Sequence, residues 1–228
     1  MTNLKLNPQM LFYVTRRSLF FYAKELSDVV ELPFSSEVSQ DLEIISQISL
    51  ERILVNWLEQ LKIIPGQAIL LLDESVYFRN IIEHWPASDQ DPLVQDFLAL
   101  VPFHEVKIKN FPLKKGACTT VINKHFLLPL IDVLEKVGFV IVTATPSFVL
   151  NLEHAKTGFT QKLATQIVVQ INVLAQFSFL SIEELTAKLV EPKPFLSVKI
   201  DAKLIGMMVF LVVLSIVLLI LMKVQGII

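Results

Sequence analysis

The sequence predicts a mixed α/β domain followed by a single membrane-spanning helix. Short β-prone runs alternate with helices that carry one apolar stripe, and 53% of the residues are hydrophobic, enough for one sizeable core. The third observation is an uncharged run from Leu204 to Met222, interrupted only by Gly206 and Ser215. As a helix this run spans roughly 28 Å, close to the ~30 Å hydrocarbon core of a bilayer.

A membrane anchor explains this run better than a buried core helix does. A core helix rarely carries apolar side chains on every face. Lys203 and Lys223 stand at the two ends, where their ammonium groups can reach the lipid headgroups. We therefore predict a transmembrane helix over 204–222 that Lys203 and Lys223 flank.

The N-terminal domain is expected on the cytosolic side of the membrane. Arg16 and Arg17 split the first apolar runs, and no small-residue cleavage site follows them, so the start does not resemble a signal peptide. More lysines precede the span than follow it. Cys118 is the only cysteine, which excludes an internal disulfide and fits a reducing compartment.

Residues 1–64 are expected to supply a hairpin and a helix of the cytosolic domain. Met10–Val14 and Leu19–Lys24 are the predicted hairpin strands, and Val29–Leu32 could add a third strand. Ser49 is the predicted N-cap of a helix that ends before Pro65. Its apolar stripe consists of Leu50, Ile53, Leu54, Trp57, Leu58 and Leu61.

Residues 65–150 predict a compact α/β unit with a mixed sheet. Ala68–Leu72 reads as a strand buried on both faces and Val76–Ile82 as its hairpin partner, with a turn at Asp73-Glu74-Ser75. Asp91-Pro92 begins a short helix through Leu100. The remaining predicted elements are a half-exposed strand Val106–Phe111, a strand Ala117–Asn123, a helix His125–Val137 and a strand Phe139–Thr145. Pro129 is tolerable in this helix if it lies in the first turn.

The C-terminal part divides into three predicted segments. Residues 151–190 are a helical extension, although 156–177 fits a helix or a strand. A capping box at Ser181–Glu184 begins a short helix in this extension. Residues 191–203 contain two prolines and are predicted to link the domain to the span in extended form.

Two stretches resemble the actin-like type IV pilus assembly protein PilM. They read DFLALVPFHEVKIKNF and CTTVINKHFLLPLIDVLEKVGFVIVTATPSF. The family's IPFP-x-x-E-V motif has its counterpart at Val101–Val106, and its L-E-x-x-G helix end at Leu134–Gly138. The strand that closes on proline corresponds to Thr145-Pro146. The resemblance covers 65–150 well and 10–64 loosely.

The chain is also similar to the type II secretion protein GspL, which joins an actin-like cytosolic domain to one membrane helix. The resemblance implies one actin-like lobe of the ribonuclease H-like/SHS2 kind. It also implies a single-pass protein of the inner membrane that serves as a scaffold. The implied partners are PilN/PilO-like membrane proteins, the assembly ATPase and the platform protein, with a homodimer as a further expectation.

The sequence departs from this family where a nucleotide would bind. ATP-binding PilM proteins have an acidic residue followed by Gly and Ser/Thr after the first strand, because a Cβ would keep a phosphate from the backbone amides. Here Val14-Thr15-Arg16-Arg17-Ser18 stands at that place, and the glycines are isolated. We therefore expect no nucleotide and no other cofactor.

The sequence offers few candidate residues for metal binding, catalysis or nucleic-acid binding. His84, His104, His125 and His154 lie far apart in the sequence, so neither a metal site nor catalytic residues are expected. Cys118 falls in a predicted strand and reads as a buried inert thiol. Asp73-Glu74 fits a solvated turn better than a carboxylate pair. A net charge of −2 without a basic stripe argues against nucleic acid.

Two functions remain from the sequence. The first is a non-enzymatic adaptor of an inner-membrane pilus or secretion platform. The second is a tail-anchored enzyme at the cytosolic membrane surface, which would need a concave pocket with convergent polar groups.

Overall fold

The computed structural model describes residues 9–86, 88–150 and 159–181, which form ten strands and five α-helices. In chain order they are β1 (Met10–Val14), β2 (Ser18–Ala23), β3 (Val30–Pro33), β4 (Ser39–Gln40), β5 (Glu43–Ile44), α1 (Gln47–Leu61), β6 (Gln67–Leu72), β7 (Tyr77–Ile82), α2 (Pro92–Leu98), β8 (Val106–Pro112), β9 (Ala117–Asn123), α3 (Lys124–Lys136), β10 (Val140–Pro146), α4 (Gln161–Val168) and α5 (Ile171–Gln176). Short 3₁₀ turns cover Glu74–Val76 and Ser147–Leu150.

A mixed five-stranded sheet in the order β10-β6-β1-β2-β3 is the centre of the domain. β1 pairs in parallel with β6 and β6 with β10, whereas β2 is antiparallel to both β1 and β3. The predicted mixed sheet with packed helices is confirmed. The sheet draws three of its strands from the first 33 residues, so it is not confined to residues 65–150.

Alternation along β1 and β6 sends side chains into two separate cores. Phe12 of β1 and Leu70 of β6 face a core that α1 and α3 cover. Leu11 and Ile69 face the opposite core, which α4 and α5 cover. Both strands are therefore almost fully apolar, as strands buried on both faces are.

Helix α1 begins earlier than the sequence pattern predicts. Its N-cap is Ser46, whose hydroxyl accepts a hydrogen bond from the Ser49 amide at 3.2 Å. Ser49 as N-cap is therefore wrong, because two serines three residues apart offer the same signal and the first one takes the cap. The helix ends at Leu61, and Lys62 follows with a left-handed φ of 55°.

Helix α3 has the cap residues of a regular helix and a proline in its interior. Asn123 caps its N-terminus by accepting from the His125 amide at 2.9 Å. Pro129 lies well inside the helix, so the condition that it lies in the first turn is not met. Its missing amide takes away the usual helical partner of the His125 carbonyl. Gly138 ends the helix with a φ of 105°, as the Lys136/Gly138 pattern predicts.

A second sheet of three antiparallel strands, in the order β7-β9-β8, corrects another expectation. The predicted hairpin of 68–72 with 76–82 is wrong, because β6 joins the central sheet and β7 pairs with β9. A 3₁₀ turn at Glu74–Val76, capped by the Asp73 side chain, redirects the chain between the two sheets. Phe97 and Val101, at and beyond the end of α2, pack on one face of this second sheet against Val121.

Hydrogen bonds from outside the sheet cover the outer edge of β10. The Ser178 hydroxyl accepts from the Ala144 amide at 3.0 Å, and the Phe179 amide donates to the Ala144 carbonyl at 2.7 Å. Thr145 Oγ1 donates to the Leu174 carbonyl at 3.0 Å. The two bonds to Ala144 satisfy backbone groups that an exposed edge strand would offer to another chain.

The ambiguous region and the C-terminal predictions have different outcomes. Residues 161–168 and 171–176 are helical, which resolves most of 156–177 in favour of helix. Within the described ranges, no helix is both long and apolar enough to cross a bilayer. The predicted capping-box helix, the linker 191–203 and the span 204–222 lie outside those ranges.

Candidate functional site at the ends of the parallel strands

The carboxyl ends of β1, β6 and β10 meet at one edge of the central sheet, because the three strands are parallel. In open α/β sheets this edge is where ligands commonly bind. Three short segments follow the strands there: the turn Thr15–Ser18, the segment Asp73–Ser75 and Ser147. We call these segments the strand-end site.

Every backbone amide of the turn Thr15–Ser18 has a partner within the protein. The Thr15 amide donates to the Ser18 carbonyl at 2.9 Å, and the Arg16 amide donates to Ser75 Oγ at 3.0 Å. The amides of Arg17 and Ser18 both donate to Thr15 Oγ1, at 3.3 and 3.0 Å. A phosphate-binding loop needs amides that point at the ligand, and these four point at protein oxygens.

Asp73 occupies the centre of the strand-end site. Its carboxylate accepts from the Ser75 amide at 2.9 Å and from the Tyr13 hydroxyl. Its own amide donates to the Val14 carbonyl at 2.9 Å, which ties β6 to β1. Burial and the hydrogen bond to Asp73 raise the pKa of Tyr13 above its usual range, so Tyr13 remains a neutral donor. A phosphate placed here would meet a carboxylate.

Tyr77 contributes a buried hydroxyl with no hydrogen-bond partner in the described part of the chain. The residue is 5% exposed, and burial raises the pKa of its phenol to about 12. Ser147 and the backbone of Phe148 act in the opposite direction and lower that pKa, although their geometry does not complete a hydrogen bond. An unpaired buried hydroxyl costs about 1–3 kcal/mol, so Tyr77 is the least satisfied group near the site.

Charged side chains share the face of the second sheet that carries Tyr77. Arg79 pairs with Glu74 at 3.0 Å and lies 5.1 Å from the centre of the Phe148 ring. On the same sheet face, Lys109 donates to the Ser178 carbonyl. Burial, with a smaller contribution from Lys107, lowers the pKa of Lys109. The alternation of β8 predicts that the face with both lysines is solvent-exposed, but Lys107 and Lys109 are half-buried.

The residues considered for other chemistry do not gather in one place. Cys118 is buried in β9, and burial raises the pKa of its thiol, as a structural cysteine requires. His84 pairs with Asp91 at 2.7 Å, and His125 lies 3.8 Å from Glu105 on the exposed surface. Over residues 9–86, 88–150 and 159–181, no three His, Cys, Asp or Glu side chains cluster as a metal site would.

Some of the predicted residues lie outside the described ranges, and two tyrosines near the site were not predicted from the sequence. Leu204, Met222, Lys203 and Lys223 lie outside the described ranges, as does His154. Neither Tyr13 nor Tyr77 is singled out by a motif. Tyr13 carries one usable signal, since it alternates with buried Phe12 and Val14 on a strand that ends near Asp73. Tyr77 carries none, because the groups near its hydroxyl, Ser147 and Phe148, follow β10 far along the chain.

Comparison with known proteins gives structural similarity only. No protein-family model and no curated protein sequence matches the chain. The fold is similar to the PilM-PilN type IV pilus biogenesis complex, at 12% identity and a TM-score of 0.44, over 65% of this chain and 49% of that one. It is also similar to the cytoplasmic domain of EpsL, an inner membrane component of the type II secretion system of Vibrio cholerae. That similarity has 14% identity and a TM-score of 0.36, over 61% of this chain and 57% of that one.

The chain thus spans about half the length of each of these two structures. Both TM-scores lie below 0.5.

Proposed function

We propose that the chain is a non-enzymatic adaptor, anchored by its tail in the inner membrane of a type IV pilus or type II secretion-like assembly platform. It would act as a PilM/GspL-like scaffold without a nucleotide site. Its domain would lie on the cytosolic side, and its partners would be PilN/PilO-like membrane proteins and an assembly ATPase.

The closed turn Thr15–Ser18 carries this proposal. All four of its amides are engaged by protein oxygens, and Asp73 lies beside them with its carboxylate already accepting two hydrogen bonds. Opening the turn for a phosphate would break several of these bonds at about 0.5–1.5 kcal/mol each. It would also place two negative groups together. The edge of the sheet that offers a ligand site in other α/β proteins is therefore used here to hold the domain together.

The PilM-like motifs occupy structural positions in the domain. Leu134–Gly138 ends α3, and Gly138 has the positive φ that favours glycine there. Residues 101–106 lead from the end of α2 into β8, with Val101 buried against Val121. Val101 and Gly138 thus shape the lobe, through packing and through the end of a helix, which supports a role in assembly.

Nucleotide titration of the full chain in mild detergent tests the central claim. Isothermal calorimetry with Mg-ATP and Mg-GTP should give no binding heat up to about millimolar nucleotide, and the thermal midpoint should not move. An ATP dissociation constant in the micromolar range would overturn the claim that the strand-end site is closed.

Partner capture tests the adaptor role separately. The chain should copurify with PilN-like and PilO-like proteins from its own organism when all three are expressed together in membranes. A variant without residues 204–228 should lose partners that need the membrane and keep those that contact the domain. If neither protein copurifies with the full chain, the adaptor role is wrong even if nucleotide binding is absent.

One observation favours the second candidate, a tail-anchored enzyme. The unpaired Tyr77 hydroxyl and the Tyr13–Asp73 pair place polar groups near one another at the strand-end site. An enzyme that uses them would lose activity in both Tyr77→Phe and Tyr13→Phe. The adaptor role predicts that Tyr77→Phe leaves partner capture unchanged.

A further inference from the structure

We propose that one end of the three-stranded sheet is a docking surface for an anionic lipid bilayer. This surface, which we call the lipid tip, consists of Ile81, Trp85, Leu113, Lys114 and Lys115. The proposal goes beyond the adaptor role and does not rest on it, because it concerns only the chemistry of this surface.

The lipid tip is formed where three chain segments converge. Ile82 of β7 pairs with Ala117 of β9, and Pro112 of β8 pairs with the same Ala117, so all three strands end at one level. The turn between β8 and β9 is closed by the Leu113 amide, which donates to the Gly116 carbonyl at 3.2 Å.

Gly116 brings the end of β7 against this turn. It has a φ of 73°, and a Cβ built there would lie 1.9 Å from the Ile82 carbonyl oxygen and 2.8 Å from that of Glu83. The backbone that leads towards Trp85 therefore packs directly on the turn that carries both lysines. Only glycine permits this close approach.

Large apolar side chains are exposed at the lipid tip although their neighbours are buried. Ile81 is 69% exposed, Trp85 56% and Leu113 40%, whereas Ile82 and Phe111 beside them are each 2% exposed. Isolated exposed apolar residues are common, but three at one end of one small sheet form a patch of the kind that marks an interaction site.

The charge and residue types of the tip fit a bilayer surface. Lys114 and Lys115 are exposed at the turn, and Glu83 is the only carboxylate in residues 81–85 and 112–116. Tryptophan favours the headgroup level of a membrane, and adjacent lysines are attracted to anionic lipid. The Asp91 carboxylate, which caps α2, is already paired with His84 of the chain that follows β7, at 2.7 Å.

Fluorescence of Trp85 tests the proposal on the full chain. The protein is placed in lipid nanodiscs with either 30% phosphatidylglycerol or phosphatidylcholine alone, and the signal of Trp85→Phe is subtracted to remove the buried Trp57. In anionic discs we expect a blue-shifted Trp85 emission that lipids brominated high on the acyl chain quench and aqueous iodide does not. In zwitterionic discs the lipid quenching should fall several-fold.

Two charge variants sharpen the test. Each lysine near an anionic surface contributes about fivefold to the docking equilibrium, so Lys114→Gln with Lys115→Gln should lower it about 25-fold and remove most of the quenching. The matched control is Lys24→Gln with Lys162→Gln, which changes the net charge equally at exposed sites outside the second sheet, and it should leave the quenching unchanged.

Three outcomes would overturn the proposal. Trp85 that iodide quenches equally in detergent and in anionic discs does not touch lipid. Quenching that neither lipid charge nor the lysine pair alters would exclude an anionic surface as the ligand. Shielding of Trp85 in detergent that disappears on dilution would identify the tip as a contact between two copies of the chain.

Discussion

The three tyrosines of this protein allow one substitution, Tyr to Phe, to be compared in three hydrogen-bonding environments. All three are buried: Tyr13 is 7% exposed, Tyr22 6% and Tyr77 5%. The Tyr13 hydroxyl donates to the Asp73 carboxylate, the Tyr22 hydroxyl accepts from Thr165 at 3.2 Å, and the Tyr77 hydroxyl has no partner among the described residues. Removing the hydroxyl oxygen is therefore expected to change the stability differently at each position.

The expected free energies follow from those partners. Tyr13→Phe loses a bond to a charged group, which is worth about 1.5–3 kcal/mol, although Asp73 keeps the Ser75 amide. Tyr22→Phe loses a neutral bond of about 0.5–1.5 kcal/mol. Tyr77→Phe removes a desolvated group that gains nothing in the folded state, so it should be neutral or should stabilise by about 1 kcal/mol.

Thermal unfolding of the full chain in detergent measures this order. A change of 1 kcal/mol shifts the midpoint by roughly 2–4 °C for a domain of this size. We expect midpoints that fall by about 3–12 °C for Tyr13→Phe and by about 1–6 °C for Tyr22→Phe. Tyr77→Phe should not fall. If it falls as far as Tyr13→Phe, the Tyr77 hydroxyl has a partner and the account of the strand-end site is wrong.

Four further results are expected. The folded state raises the pKa of Tyr77 to about 12, so the protein should lose stability as pH rises above about 10. This group contributes a loss of up to about 1.4 kcal/mol per pH unit, and tyrosinate absorbance at 295 nm should appear on unfolding. Gly116→Ala should cost about 3 kcal/mol or more, since its Cβ meets the Ile82 carbonyl, whereas the control Gly66→Ala, with its nearest contact at 3.9 Å, should stay within about 0.5 kcal/mol in the same melts. Ser178→Ala should cost about 2–4 kcal/mol because two buried amides, at 3.0 and 3.1 Å, lose their acceptor, and an unchanged midpoint would contradict the proposed cover of β10. Deleting residues 204–228 should move the protein from the membrane to the soluble fraction, and a protein that still sediments with membranes would place the anchor elsewhere.

Local pattern was sufficient to predict most elements but not their pairing. The runs at 10–14 and 117–123 are strands because β-branched and aromatic residues are dense there, and 68–72 is a strand because its residues form an uninterrupted apolar run. Both patterns are properties of the segment itself. Whether 77–82 pairs with 67–72 depends on one capped turn at Asp73. Asp and Ser favour both a hairpin turn and a 3₁₀ turn that leads into another sheet, so their presence does not distinguish the two.

The sequence predicts that the turn Thr15–Ser18 lacks the residues of a phosphate-binding loop. It does not predict the hydrogen bonds that the turn makes instead. The absence of an acid and a glycine at Thr15–Ser18 can be read from the residues directly. The bond from the Arg16 amide to Ser75 joins residues 59 positions apart, and the Tyr13–Asp73 bond joins residues 60 apart. Such contacts follow from the parallel pairing of β1 with β6, which no local pattern specifies.

The parallel pairing also explains why closing this edge has consequences beyond ligand binding. The Asp73 amide bonds the Val14 carbonyl, Asp73 accepts from Tyr13, and Ser75 accepts from Arg16, so three bonds tie the end of β1 to the residue range that begins the second sheet. A bound nucleotide would have to replace these ties with its own contacts. Without one, they fix the path from β6 into the 3₁₀ turn and thus into β7. The same residues that close the site therefore set where the second sheet begins, and a substitution that opened the site for phosphate would loosen that sheet as well.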